Sequence, residues 1–106
     1  MSRVVSNATP LIYLAKADRL GLLLSLFEEV LIPEAVHEEV VSKGKRAGQA
    51  DAVLVEKAIE EGRIGVRHVQ RTYPVSIPLH PGEVEVISLA LESGIDLLIM
   101  DDARAR

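Results

Sequence analysis

Four side chains stand out as oxygen donors at particular places: Asn7 after "RVVS", Glu39 in "PEAVHEEVV", Glu83 in "PGEVEVISLALESG" and Asp101 after "LLIM". With no cysteine the chain has no thiolate ligand or nucleophile, and His37, His68 and His80 lack metal-ligand spacing. What remains is a hard, oxygen-only set, and such a set with open positions suits Mg2+ or Mn2+. Carboxylates turned into one pocket repel one another until a divalent cation neutralises them. A cation held this way activates water and offsets charge on a phosphoryl group, the chemistry of phosphodiester hydrolysis.

These donors can meet only if the elements between them are arranged to allow it. Arg3–Ser6 reads as a short β-branched strand. Thr9-Pro10 reads as an N-cap with proline at the first helical position, opening a helix to about Ala17. A second helical piece covers Leu20 to Phe27, a buried strand Val30 to Ile32 ends at Pro33, and "PEAVHEEVV" is the next helix. The polar, basic "SKGKRAGQAD" reads as a loop, followed by a helix from about Ala50 to Glu61 that Gly62 terminates. Ile64 to Val69 is a strand candidate and "YPVSIPLHPG" an irregular stretch. A helix then runs from Pro81 or Gly82 to Ser93, capped by Gly94. Leu97 to Met100 is an apolar run suited to a strand covered on both faces.

Strands alternating with helices predict an α/β fold, a three-layer sandwich around a mostly parallel central sheet, in a single domain over residues 1–106. In such sheets sites form outside the carboxyl ends of the strands. Asn7 follows the first strand and Asp101 the last, so neighbouring parallel strands would bring both to one edge.

The two glutamates are singled out by angle. Advancing about 100° per residue from Gly82, Val86, Ala90, Ile87 and Leu91 fill an arc from about 40° to 180°, and Glu83 falls inside it at about 100°. Glu85 and Glu92 fall on the opposite, polar side. On "PEAVHEEVV", Glu39 lies between Ala35 and Val36 while Glu38 lies outside their arc. An inward acid needs a partner, because burying an unpaired carboxylate costs several kcal/mol. No basic residue shares the inner arc of either helix.

At 106 residues the chain is one domain with room for a core, and 48% hydrophobic content excludes disorder. No apolar run approaches the roughly 18 residues of a membrane span, and "MSRVVSNATP" lacks a signal-peptide core. A cytoplasmic chain with no membrane partner is expected, in agreement with the absent cysteine. The net charge of −4 gives no global field for nucleic acid. An RNA partner would therefore be met by bound cations and by local basic residues, of which Lys43, Lys45 and Arg46 are candidates.

The residues resemble those of PIN-domain ribonucleases, of the VapC toxin-like kind, over nearly the whole chain. The family's opening pattern, a strand and then Asp-x-Ser/Thr-x-Leu-Ile, is similar to "NATPLI", with Asn7 in place of the aspartate and Thr9 as the hydroxyl. Its second acid, in the helix after a short strand and proline, matches Glu39. Its third stands eleven residues before a helix-ending glycine, as Glu83 does before Gly94, and its fourth seven after that glycine, as Asp101 does. The resemblance implies a divalent-cation-dependent endoribonuclease in which Glu39, Glu83 and Asp101 hold Mg2+ or Mn2+. Asn7 completes the set, Thr9 and Asp102 support it, and water is the nucleophile. It also implies a homodimer held in check by a small antitoxin protein. Asn7 removes one negative charge from the expected cation site. Family members usually continue past the fourth acid with another helix and strand, which this chain is expected to lack.

Each residue also has a structural reading. Asp101 and Asp102 can cap a helix starting at Ala103, Glu83 can complement a helix dipole, Glu39 can pair with Lys43, and Asn7 can hold the Thr9-Pro10 turn. The functional reading rests on all four converging. Its rival is a catalytically weak or silent PIN-like module that binds RNA or a protein. A receiver-like signalling domain lacks its phosphoacceptor and lysine here. "LGLLLSLF" reads as mostly core, with an apolar excess available for dimerisation.

Overall fold

The computed structural model describes residues 2–70, 81–95 and 97–100. Four strands form an all-parallel sheet in the order β3-β2-β1-β4: β1 Arg3–Ser6, β2 Glu29–Pro33, β3 Ile64–Arg67 and β4 Leu98–Ile99. Helices α1 (Ala8–Lys16) and α2 (Leu20–Leu26) connect β1 to β2. The β2–β3 connection carries α3 (Glu34–His37), a π-helical segment (Glu38–Ser42), α4 (Lys43–Arg46) and α5 (Ala50–Glu60), and α6 (Pro81–Ser93) precedes β4.

The chain moves outward from β1 to β2 to β3, then returns to the far side of β1. Right-handed crossovers in opposite directions place α1 and α5 on one face of the sheet and α6 on the other. Packing agrees, since α1, α5 and the π-helical segment touch one another while α6 lies against β1 and β2. The expected three-layer α/β architecture is what forms. Val4, Val5, Leu31, Ile32 and Ile64 are buried in the sheet, and each such side chain contributes about 1.5–3 kcal/mol.

Several elements differ in extent from their sequence expectations. Helix α1 starts at Ala8 with Asn7 in the N-cap position, so Thr9 is not the cap and Pro10 falls within the first turn. Proline is tolerated there because that turn's N–H groups have no intrahelical partner. The segment "SKGKR" is helical rather than loop. Gly44 serves close packing there: a Cβ on it would stand 2.8 Å from Ala52 Cβ on α5. Among the described residues β4 stands last in the strand order, and Leu97 and Leu98 are exposed where the apolar run suggested cover on both faces. In "LGLLLSLF", Leu20 and Leu23 are core, whereas Leu22 and Leu26 are exposed.

Four of these helices end at a residue with positive φ. Gly48, Gly62 and Gly94 occupy that position after α4, α5 and α6, and Asp18, at φ 58°, occupies it after α1. Asp18 N–H donates to Ala15 O and Arg19 N–H to Leu14 O, the Schellman pairing.

Candidate functional site

The order of the sheet reverses between β1 and β4, and in open parallel sheets the ligand crevice lies at that reversal, beyond the carboxyl ends of the strands. Asn7 is the first residue beyond β1, and its backbone N–H donates to Ile99 O at 3.0 Å. The residue is 5% exposed, and its side chain does not cap α1. Thr9, half-buried, follows in the first turn of α1.

Glu83 lies in the first turn of α6, the turn that meets the same carboxyl edge, and is 7% exposed. Its burial agrees with its place in the apolar arc. The arc itself is shifted, since Leu89 and Ser88 are buried and Leu91 is 58% exposed. Glu39 lies in the π-helical segment and is half-buried, while its neighbour Glu38 is exposed.

The π turn, marked by the bond from Lys43 N–H to Glu38 O, inserts a residue into the helix. Its wider turn lets Val40 and Val41, adjacent in sequence, both point into the core. Such insertions recur at functional positions. The i+4 ion pair between Glu39 and Lys43 does not form among the described residues. Asp101 and Asp102 lie outside the described residues. The strand before them, β4, pairs in parallel with β1 through Val5–Leu98 and Ser6–Ile99.

The basic candidates have structural occupations. Lys45 Nζ donates to both Glu56 oxygens at 3.1 and 3.0 Å, joining α4 to α5. Arg46 Nη2 donates to Glu38 Oε1 at 3.2 Å. The Glu38 carboxyl is held below its usual range by the Ser42 hydroxyl first and by Arg46 next. Lys43, Lys45 and Arg46 stand in the last turn of the helix, where cations complement its dipole.

Sequence reasoning missed two contacts at the carboxyl edge. Glu85, assigned to the polar side of α6, is half-buried, and its Oε1 accepts the Ala35 N–H at 3.3 Å, joining α6 to α3. Glu34, just beyond β2, meets His68, just beyond β3, with Oε1 2.6 Å from Nδ1. Hydrogen bonding to Glu34 and that carboxylate's charge push the His68 imidazole up, helped by Glu92 and Glu85. Only the position of Glu34 and His68, each directly after a strand, could have marked them. A groove of about 310 Å³ lined by Leu20, Leu24, Lys57 and Arg63 lies elsewhere, where α1 and α5 end. Asn7, Glu39 and Glu83 do not line it.

The PIN-domain family model matches residues 3–106. The chain belongs to the PIN-domain family. No curated protein and no solved structure matches it. PIN domains are generally nucleases and generally use divalent metal ions. Among the described residues of this PIN domain, no three His, Cys, Asp or Glu side chains gather as a metal-binding group. Of the four donors only Glu39 and Glu83 are acids among those residues, because Asn7 is an amide and Asp101 lies outside them. The oxygen chemistry of the set still fits Mg2+ or Mn2+.

Proposed function

We propose that this PIN domain is a divalent-cation-dependent endoribonuclease whose site is the carboxyl edge between β1 and β4. One observation carries the reading. β1 and β4 are parallel neighbours at the reversal of strand order, so the residue after β1, Asn7, and the strand that leads to Asp101 share an edge. In this reading the first turn of α6 supplies Glu83, which is buried, to that edge from the other face.

In this reading Glu39, Glu83 and Asp101 hold Mg2+ or Mn2+, Asn7 completes the set with its amide oxygen, and Thr9 and Asp102 support it. A bound divalent cation supplies water of lowered pKa and neutralises charge on the phosphodiester. The protein's own part is to hold oxygen donors at fixed positions, so that no reorganisation is needed as charge develops. Glu83 is shielded from bulk water, which strengthens its hold on a cation. With a net charge of −4, the cation also offsets repulsion between the protein and RNA. Lys43, Lys45 and Arg46 add local attraction for phosphates.

Kinship with toxin-like members adds a small antitoxin partner and a homodimer to the reading. Leu22 and Leu26, 57% and 64% exposed on α2, supply apolar surface for association. The test is incubation with Mn2+ of an RNA oligomer and its DNA counterpart, with and without chelator, using the wild type and Glu83→Ala. Cation-dependent RNA cleavage lost in Glu83→Ala supports the reading, and cleavage surviving both chelation and substitution overturns it.

A second reading, a PIN scaffold that binds RNA or a partner without cutting it, is favoured by Asn7 standing in place of an acid. Asn7→Asp separates the two. Cleavage that appears only in this variant favours the silent scaffold, whereas cation-dependent cleavage by the wild type favours the nuclease.

A further inference from the structure

Pro33, the residue in the N-cap position of α3, has no side-chain oxygen, so it cannot satisfy the free N–H groups of the first turn. The Ala35 N–H is satisfied from another element instead, donating to Glu85 Oε1 at 3.3 Å across the contact between α3 and α6. A carboxylate at a helix N-terminus gains from both the charge-assisted bond and the helix dipole.

The position of this bond matters more than its strength. Glu85 is two residues after Glu83 on α6, and Ala35 is four residues before Glu39 on the α3–α4 helix. Both α3 and α6 touch β2, but the π-helical segment that carries Glu39 packs against α1 and α5, whereas α6 lies against β1 and β2. Two oxygen donors on separate helices need a shared reference if their spacing is to suit one ion. We propose that Glu85 is a positioning residue: by capping α3 from α6, it fixes the helix carrying Glu39 relative to the turn carrying Glu83. The inference rests on the nuclease reading of the site and adds a residue that neither the donor set nor the sequence spacing identifies.

The test compares wild type, Glu85→Ala and Glu85→Gln by calorimetric titration with Mn2+ and by hydrogen exchange of the Ala35 amide. Residues that orient metal ligands typically cost 10–100-fold in affinity when removed. Glu85→Ala is expected to weaken Mn2+ binding by about tenfold or more and to unprotect the Ala35 amide. In Glu85→Gln the amide oxygen still accepts the Ala35 N–H, so protection and most of the affinity should return. Unchanged Mn2+ affinity in a folded Glu85→Ala protein overturns the proposal. So does a Glu85→Gln variant that keeps the Ala35 bond yet binds as poorly as Glu85→Ala, which would make Glu85 a ligand. Should Glu85→Ala fail to fold, Glu85→Asp, too short to reach Ala35, carries the same comparison. Wild-type protein without Mn2+ affinity refutes the nuclease reading instead, and the tether between the helices is then judged on Ala35 protection alone.

Discussion

Alanine at position 44 tests how closely the helix that carries Glu39 is seated on α5. In an open helix, Gly→Ala gains about 0.8–1 kcal/mol from propensity. At Gly44 the new Cβ would stand 2.8 Å from Ala52 Cβ, well inside the roughly 3.5–4.0 Å of a carbon–carbon contact. Ala52 is fully buried and its Cβ has no torsion with which to yield, so α4 and α5 must separate. Overpacking of this kind costs about 1–3 kcal/mol. The net expectation is a loss of about 1 kcal/mol, with a range of about 0 to 2 from the same two terms.

Gly21, in α2, would have nothing within 4 Å of an added Cβ and has no positive φ, so Gly21→Ala is the internal control. It should gain about 0.5 kcal/mol. Urea unfolding gives both values, and a double-mutant cycle with Ala52→Gly should show Gly44→Ala rescued by about 1 kcal/mol of coupling. If Gly44→Ala stabilises the protein as Gly21→Ala does, the close approach of α4 to α5 is wrong.

Asp18 occupies a left-handed position that glycine adopts freely, so Asp18→Gly should raise stability by about 0.5–1 kcal/mol, or several degrees in Tm. A lowered Tm would mean that the Asp18 side chain is needed there. The His68 imidazole should titrate above its ordinary value of 6.5 by NMR, and Glu34→Gln should bring it down. Because the folded value is raised, the pair's contribution to stability is fully present below 6.5 and fades as pH rises through the raised value. A midpoint unmoved by Glu34→Gln would remove that carboxylate as the cause.

The strands were legible where burial left no choice. "RVVS" is a strand over the expected residues because Val4 and Val5 go into the core together. Gly62 and Gly94 terminate α5 and α6 as glycine at those positions suggests. The inward angle of Glu83 was also readable, because Val86 and Ala90 at neighbouring angles are buried with it. Glu39 was readable only in part, since a uniform 100° advance cannot represent a π turn that seats two successive valines. "SKGKRAGQAD" misled because glycine signals a loop by its backbone freedom, whereas Gly44 is there for want of a side chain against Ala52. The apolar run before Asp101 gave no sign that β4 stands last in the order of the described strands, because strand order is set by crossovers far along the chain. Glu85 and the Glu34–His68 pair depend on tertiary contact, which helical periodicity does not encode.

Whether oxygen donors from distant parts of the chain share one divalent cation is tested most directly by Mn2+ titration followed by electron paramagnetic resonance. Wild-type protein should bind Mn2+, and Glu39→Gln, Glu83→Gln and Asp101→Asn should each weaken binding by at least about tenfold while the fold survives. Mn2+ binding that is absent from the wild type, or indifferent to all three substitutions, would contradict a shared cation site.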